Sequence, residues 1–528
     1  MPDEAFRPDE GAVPARPTLI AVNRRQASPG ELQAEPVLKS ADPSDEASPM
    51  PMPRSQSQRV PGDRTKAETV EAPPVLPEPD NVYEIDLPTT IRLVLTANPK
   101  VAGSREAIRE MLALQQKARS MLLPSLNAGT AVHLHQGNLQ ASTGQMKDIY
   151  SQSLYYGGGT RTWAAESLAV PMVRVFAHLG DAIYEPLAVR QEVSTKRYDS
   201  SATANRLMLD GIVRYFQLLN AEGRYLAARQ TEREAAEIVR ITASYAITGQ
   251  GREGDANRAR AEAYLKHVEV QEAESRVAES SAELCELLNL NPSTRLRTVG
   301  GPIAGINLFG PEEDLQALIR MAERRRPELA SASAAIQQDT VRLRQEQTRP
   351  LFPLVSVGFS AGSFGGGSVL FPPKMGNFAG RNDFDVMALW SLQNLGVGNF
   401  ATVSERRAVL NQSRSQRVKT LAEVRQEVIA GFGLLQGERI QIQITQRQLK
   451  DTEQGFREEF ARLRGAEALP IEVLNSVNQL GFARQEVIKA VTAFNQAQFR
   501  LLVATGIPPT QAMSRGLDQP LVDTIPTK

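Results

Sequence analysis

Two hydrophobic periods run along this chain, and each occurs twice. Leu421, Val428, Leu435, Ile442, Leu449, Phe456 and Leu463 are spaced seven apart. Seven residues fall short of two full α-helical turns, so such a stripe stays on a partner only by left-handed supercoiling. A second seven-spaced series follows: Val473, Leu480, Val487, Phe494 and Leu501. Arg464-Gly465-Ala466-Glu467 separates the two, and Gly465 and Pro470 are expected to stop one helix and start the next. The pattern predicts an antiparallel helical hairpin zipped along a seam. An earlier hairpin is written more loosely. Ile212, Leu219, Leu226 and Ile247 hold its outgoing stripe, with Arg233 and Arg240 interrupting. Ala263, Val270, Val277 and Leu284 return, after a tip at Thr248-Gly249-Gln250-Gly251. The outgoing helices are predicted over about 185–247 and 401–464, each on the order of 90–100 Å long at about 1.5 Å per residue.

A period of two precedes each long helix. Val355, Val357, Phe359 and Ala361 alternate with Ser356, Gly358, Ser360 and Gly362. Leu126, Ala128, Thr130, Val132 and Leu134 alternate with Asn127, Gly129, His133 and His135. Such alternation predicts strands with one apolar and one small or polar face. Second strands are expected over Phe384, Val386, Ala388, Trp390 and Leu392, and more weakly near 168–179. Gly157-Gly158-Gly159 and the run Gly365-Gly366-Gly367 through Arg381 are expected as the loops between them.

These patterns are copies. Gly180, Phe216, Leu219, Gly249 and Pro292 recur as Gly396, Phe432, Leu435, Gly465 and Pro508, each pair 216 positions apart. A unit of that size used twice predicts duplication of a structural half. Each half reads helix, strand, loop, strand, long helix, tip, return helix. The organisation is then a Pro-rich segment over 1–80, repeat 1 over 81–300, a linker over 301–311, repeat 2 over 312–510 and a tail over 511–528. The first segment cannot bury a core and is expected to be disordered, as is the tail.

Composition removes several functions. The 60 basic side chains balance 60 acidic ones, which gives no support for a nucleic-acid partner. One cysteine allows no disulfide within the chain and no cysteine-based metal site. No run of 18 apolar residues predicts a transmembrane helix, but alternating barrel strands escape that test. Four amphipathic strands cannot close a barrel alone, and an open edge in lipid is forbidden. Three chains would supply twelve strands.

Individual residues carry little chemistry. His133 and His135 lie two apart on one predicted strand, with His178 expected on a neighbour. They are weighed as a metal site or as a polar lumen-facing pair, and the second is preferred because no third strong ligand is evident. Cys285 sits on an apolar stripe and is expected to be packed and inert. Neither glycine run is followed by the Gly-Lys-Ser/Thr of a phosphate loop. The chain is expected to be a non-enzyme that needs no cofactor. Gly249, Arg252, Glu253 and Asp255, with Arg462, Arg464, Gly465 and Glu467, form charged, glycine-rich tips. They are either plain helix caps or a gating and docking ring.

The order of motifs resembles that of the TolC-like outer-membrane efflux proteins. The resemblance is carried by Leu93 through Asn98-Pro99, by Leu122-Leu123-Pro124-Ser125-Leu126 and Leu351-Phe352-Pro353-Leu354, by Tyr215 through Leu219, by Gly465 through Asn475, and by Leu502 through Gly506. It covers about residues 83–510. It implies a mainly α-helical chain with a membrane β part, assembled as a homotrimer. A twelve-stranded β-barrel in the outer membrane of a Gram-negative bacterium would continue into a periplasmic α-helical tunnel. Its partners would be a periplasmic adaptor, an inner-membrane pump and outer-membrane lipid. Transport would be passive conduction in efflux or type I secretion. Such proteins are exported by an N-terminal signal, and no apolar signal core follows Met1. The expectation is that a leader lies upstream or has been removed. The alternative function is a soluble coiled-coil scaffold without channel activity.

Overall fold

The computed structural model describes residues 82–126, 128–158, 173–299, 304–370, 376 and 378–513. The expected disorder of 1–80 and most of the 511–528 tail fall outside them. The first half comprises β1 (Val82–Ile85), α1 (Leu87–Ala97), α2 (Pro99–Arg119), β2 (Ser125–Leu126), β3 (Ala128–Gln140), β4 (Met146–Gly158), β5 (Val173–His178), α3 (Leu179–Ile247) and α4 (Glu253–Leu288). β6 (Arg295–Thr298), α5 (Leu315–Arg325) and α6 (Pro327–Thr348) lead into the second half. It continues with β7 (Leu354–Ser368), β8 (Ala379–Leu389), α7 (Val397–Arg464), α8 (Pro470–Ala504) and α9 (Pro509–Met513). Of the expected tail, 511–513 belong to α9, where Ala512 is buried, and the rest lies outside the described residues.

At 69 and 68 residues, α3 and α7 are the two long helices. That corresponds to about 100 Å each. Towards the strands, α3 packs against α2 and α6; towards the tips, it packs against α4 and α8. α7 packs against α6 and then α8. Where the levels meet, shorter helices abut end to end. Pro99 starts α2, and Asn98 Nδ2 donates 2.8 Å to the Leu287 carbonyl at the end of α4. Pro327 starts α6, and Arg326 Nη1 donates 3.2 Å to the Val503 carbonyl at the end of α8. Proline needs no N–H partner at a helix start, and the returning helix needs donors for its last carbonyls. Leu287 and Val503 are themselves 216 positions apart.

The second seam is where the heptads place it. Val428, Leu435, Ile442 and Leu463 of α7 are buried, as are Val473, Leu480, Phe494 and Leu501 of α8. The first seam follows its predicted stripe only in part: Ile212, Val270 and Leu284 are buried. Leu226 is 65% exposed and Ile247 86% exposed. Because α3 faces α4 and α8 at once, its buried positions beyond Leu219 are small or lie on another stripe, including Ala221, Ala228, Ala235, Ile238 and Thr242. Arg240 does not interrupt a seam; it is exposed and holds Glu237. The α3–α6 contact is polar instead. Arg349 meets Asp181 at 2.5 Å, Arg342 Nη2 meets Glu185 at 2.8 Å, Gln338 meets Glu192 at 3.3 Å and Ser331 meets Asp199 at 2.6 Å.

All strands except β1 and β6 form one antiparallel sheet. β2 and β3 make one long edge strand. β4 and β5 pair successively with the same side of β7, so they act as the second strand, and β8 lies on the other side of β7. Where they are described, the glycine runs are therefore strand and not loop, and Gly159, 371–375 and 377 lie outside the described residues. Gly157 lies within β4 and Gly365–Gly367 within β7. A methyl group at Gly366 would stand 2.5 Å from the Gln152 carbonyl oxygen, so glycine permits close strand approach here. The first hairpin turns at 141–145, where Ala141 N–H donates to the Gln145 carbonyl at 2.8 Å. Sequence patterning passed over β4. Its Ser151, Gln152 and Ser153 supply no apolar alternation. The expected strand near 168–179 is β5, and 168–172 lie outside the described residues.

The two kinds of helical position differ in their expected cost. Phe494 is wholly buried, and Phe494→Ala should destabilise by about 3–5 kcal/mol. Ile247→Ala, on the abandoned stripe, should stay within about 0.5 kcal/mol. Chemical denaturation of the two variants measures the difference, and equal effects would contradict this seam.

Candidate functional site at the hairpin tips

Both tips are built to cap helices first. The α3 end turns through Thr248 and Gly249, the latter at φ +75°. Gly251 N–H donates to the Tyr245 carbonyl at 2.9 Å, and a side chain at Gly251 would meet Tyr245 Cβ at 2.9 Å. Glu253 and Asp255 occupy the first turn of α4, where the helix dipole favours negative charge. At the second tip, Gly465 has φ −83°, so it is not the left-handed stop expected of it. Ala466 takes that conformation at φ +58°. The last N–H groups close the turn, Gly465 on Ala461 and Arg462, and Glu467 on Arg462.

One set of contacts joins the two tips. Tyr245 Oη lies 3.0 Å from the Leu463 carbonyl and 2.9 Å from that of Arg464, within donating reach of both. The Arg464 guanidinium stands 4.6 Å from the centre of the Phe460 ring and 3.9 Å from Glu237 Oε1. Arg240 holds Glu237 through two hydrogen bonds, at 2.8 and 2.7 Å. These bonds, with the Arg240 and Arg464 charges, hold the Glu237 carboxyl below its ordinary range. Under them lies an apolar cluster in which Ile238 and Ile241 of α3 pack with Leu463, Val473, Leu474 and Val477.

Of the eight predicted tip residues, Arg464 enters the cross-tip network. Gly249, Arg252, Glu253, Arg462, Gly465 and Glu467 are exposed and Asp255 is half-buried, and none bonds across the tips. Sequence reading missed Tyr245, Glu237 and Arg240 as partners. Their signal was present but ambiguous. Glu237 and Arg240 are three apart on a helix, a common pairing on any solvated face.

The sheet forms the other end of the candidate site. By strand register, Val132, Leu134, Val357, Phe359, Phe384 and Val386 share one face. Phe384 is 69% and Val132 65% exposed. His133, His135, Ser360, Arg381, Asp383 and Asp385 share the opposite face, where Arg381 Nε meets Asp383 at 2.9 Å. His178 is on that face at the junction with α3, and its Nδ1 accepts the Gly180 N–H at 3.2 Å, capping the helix. Among the described residues, no group of three ligating side chains gathers to hold a metal. Cys285 is buried, with Sγ 3.4 Å from the Thr294 carbonyl, and burial pushes its thiol up. Among the described residues no helix is long and apolar enough to cross a membrane.

No protein-family model matches the chain, and no curated protein matches its sequence. Solved structures do match. The CmeC outer-membrane channel of Campylobacter jejuni aligns with a TM-score of 0.64 and 15% identity, over 80% of this chain and 85% of that one. The open state of the MtrE outer-membrane channel of Neisseria gonorrhoeae gives 0.62 and 15%, over 80% and 89%. The outer-membrane protein VceC of Vibrio cholerae gives 0.60 and 14%, over 80% and 96%. At these identities the likeness concerns the fold, and the chain has the fold of TolC-like outer-membrane channels.

Two outcomes follow for the tip network. Tyr245→Phe keeps the ring and removes the bridging hydroxyl, at a cost of about 1 kcal/mol. Hydrogen exchange over 460–470 should then rise about fivefold, and unchanged protection would remove Tyr245 from the latch. A carboxylate with a depressed pKa contributes above its unfolded pKa and loses that contribution as pH falls through the folded value. Exchange at the tips should therefore increase on acidification below the ordinary glutamate range, and less so in Glu237→Gln.

Proposed function

We propose that this chain is one protomer of a trimeric outer-membrane exit duct. The observation that carries the reading is a sheet four strands wide which, among the described residues, is bare on its apolar face and unpaired at both edges, continued by helices of about 100 Å. With four alternating strands, the two edges run in opposite directions. The β8 edge of one copy can therefore meet the β3 edge of the next as an antiparallel pair. Closure removes the unpaired backbone groups that lipid cannot satisfy. Two copies would give eight strands, whose interior side chains fill, whereas three give twelve and leave a lumen. The apolar face then meets lipid, and the face carrying Arg381, Asp383 and Asp385 lines water.

Conduction in such a duct is passive. A pump in the inner membrane would supply the energy, and a periplasmic adaptor would engage the tips, as the fold likeness suggests. The exposed charges Arg252, Glu253, Arg462 and Glu467 suit that contact. The latch through Tyr245, Arg464 and Glu237 would hold the tips together until an adaptor draws them apart. No step requires a nucleophile, a metal or a cofactor.

Membrane fractionation and planar-bilayer recording test the reading. The chain should need detergent, cross-link as a trimer and give discrete conductance steps. A detergent-free soluble monomer would favour the helical scaffold instead. Phe384→Arg, on the outward face, should weaken membrane assembly by about 2–4 kcal/mol. Reduced trimer recovery without loss of helical signal is the expected readout.

A further inference from the structure

The α3 face beneath β6 carries an apolar groove of about 810 Å³. Leu219 and Leu226 of α3 form its floor, with Val277 of α4 on one side and Val487 and Ile488 of α8 on the other. β6 bounds it through Arg295 and Arg297, both exposed, and Val82 lies on its lip. Leu226 and Val82 are 65% and 58% exposed. The lining also includes Glu222 and Glu274, yet the surface is mainly apolar and without a cover among the described residues, and such surfaces in a folded chain mark contact sites.

We propose that the segment 71–81 of this same chain occupies the groove, with Val75 and Leu76 in its apolar floor. Two observations favour this occupant. The first is connection: the segment ends at Asn81, one residue from the lip residue Val82. The seven residues from Val75 to Asn81 reach about 22 Å in a polyproline conformation, enough to lie along the groove. The second is composition. Glu71-Ala72-Pro73-Pro74-Val75-Leu76-Pro77-Glu78-Pro79-Asp80-Asn81 sets one apolar pair among four prolines. Proline restricts the free chain, so docking loses less conformational entropy than it would for an ordinary segment.

The consequence reaches beyond the groove. Its walls belong to both hairpins, α3 and α4 of the first and α8 of the second. A docked segment would brace the two against each other, well away from the tips. This brace does not depend on the chain conducting anything.

A thiol at the floor tests it in the full chain. In Leu226→Cys, the new thiol should react slowly with a maleimide reagent. Adding Val75→Asp and Leu76→Asp should raise its labelling rate on the order of tenfold or more, because burying two aspartates in the groove is unfavourable. A synthetic peptide of residues 71–81 should restore protection to the substituted chain. Cys285 is buried and must stay unlabelled in each variant, which shows that the fold is intact. Equal rapid labelling with and without the aspartates would mean an open groove and overturn the proposal. Equal protection in both would mean a different cover, such as a second copy or detergent, and would overturn it too.

Discussion

The architecture depends on how its helix ends are satisfied. Each half must join a returning helix to the next one without leaving carbonyls bare. Asn98 and Arg326 do this in extended conformation just before Pro99 and Pro327. Proline pushes the preceding residue out of the helical region and starts the next helix without needing an N–H partner. The side chain of that residue then reaches the carbonyl of Leu287 or Val503. Two short helices become one column beside a long one. Arg326 is the more demanding case, since it is buried and also bonds Glu427 at 2.6 Å. Its charge is also met by Glu328 at 3.1 Å, and a buried guanidinium is tolerated when its charge is paired.

From those columns the rest follows by different physics at each level. Near the sheet, α3 and α6 meet through a row of carboxylates, arginines and amides, so register there is specified by matched hydrogen bonds. Further on, α7 and α8 meet through leucines, valines and phenylalanine, so register is specified by volume. At the tips the two kinds combine, with Tyr245 and Arg464 above a small apolar cluster. The sheet inverts the usual arrangement. One face is apolar and exposed, and the opposite face holds arginine and aspartate.

Much of this was legible because periodicity is local. The seven-spaced series from Leu421 to Leu463 and from Val473 to Leu501 located the second hairpin, and the alternation at Val355 through Gly362 located β7. The duplication offset located their counterparts. Transferring the seam by that offset failed at Leu226 and Ile247. The two halves share a backbone but not neighbours: α3 packs against α4 and α8 together, whereas over the same stretch α7 packs against α8 among the described residues. The glycine runs misled for a related reason. Glycine breaks a pattern in sequence, yet at Gly366 it is what lets β4 and β7 approach.

The sequence by itself determined the elements that depend on near neighbours: two long heptad helices, their tips, alternating strands and proline-marked helix starts. It also determined that the strands are too few to close alone. Tertiary structure decided what depends on residues hundreds of positions apart. It joined Tyr245 to Leu463 and Arg464, Asn98 to Leu287, and Glu185 to Arg342. It also chose Ala466 rather than Gly465 for the left-handed turn. The physical reason is range. Helical and strand periods are fixed by backbone geometry within a few residues, whereas a hydrogen bond between hairpins exists only where two independently formed surfaces are brought within 3 Å.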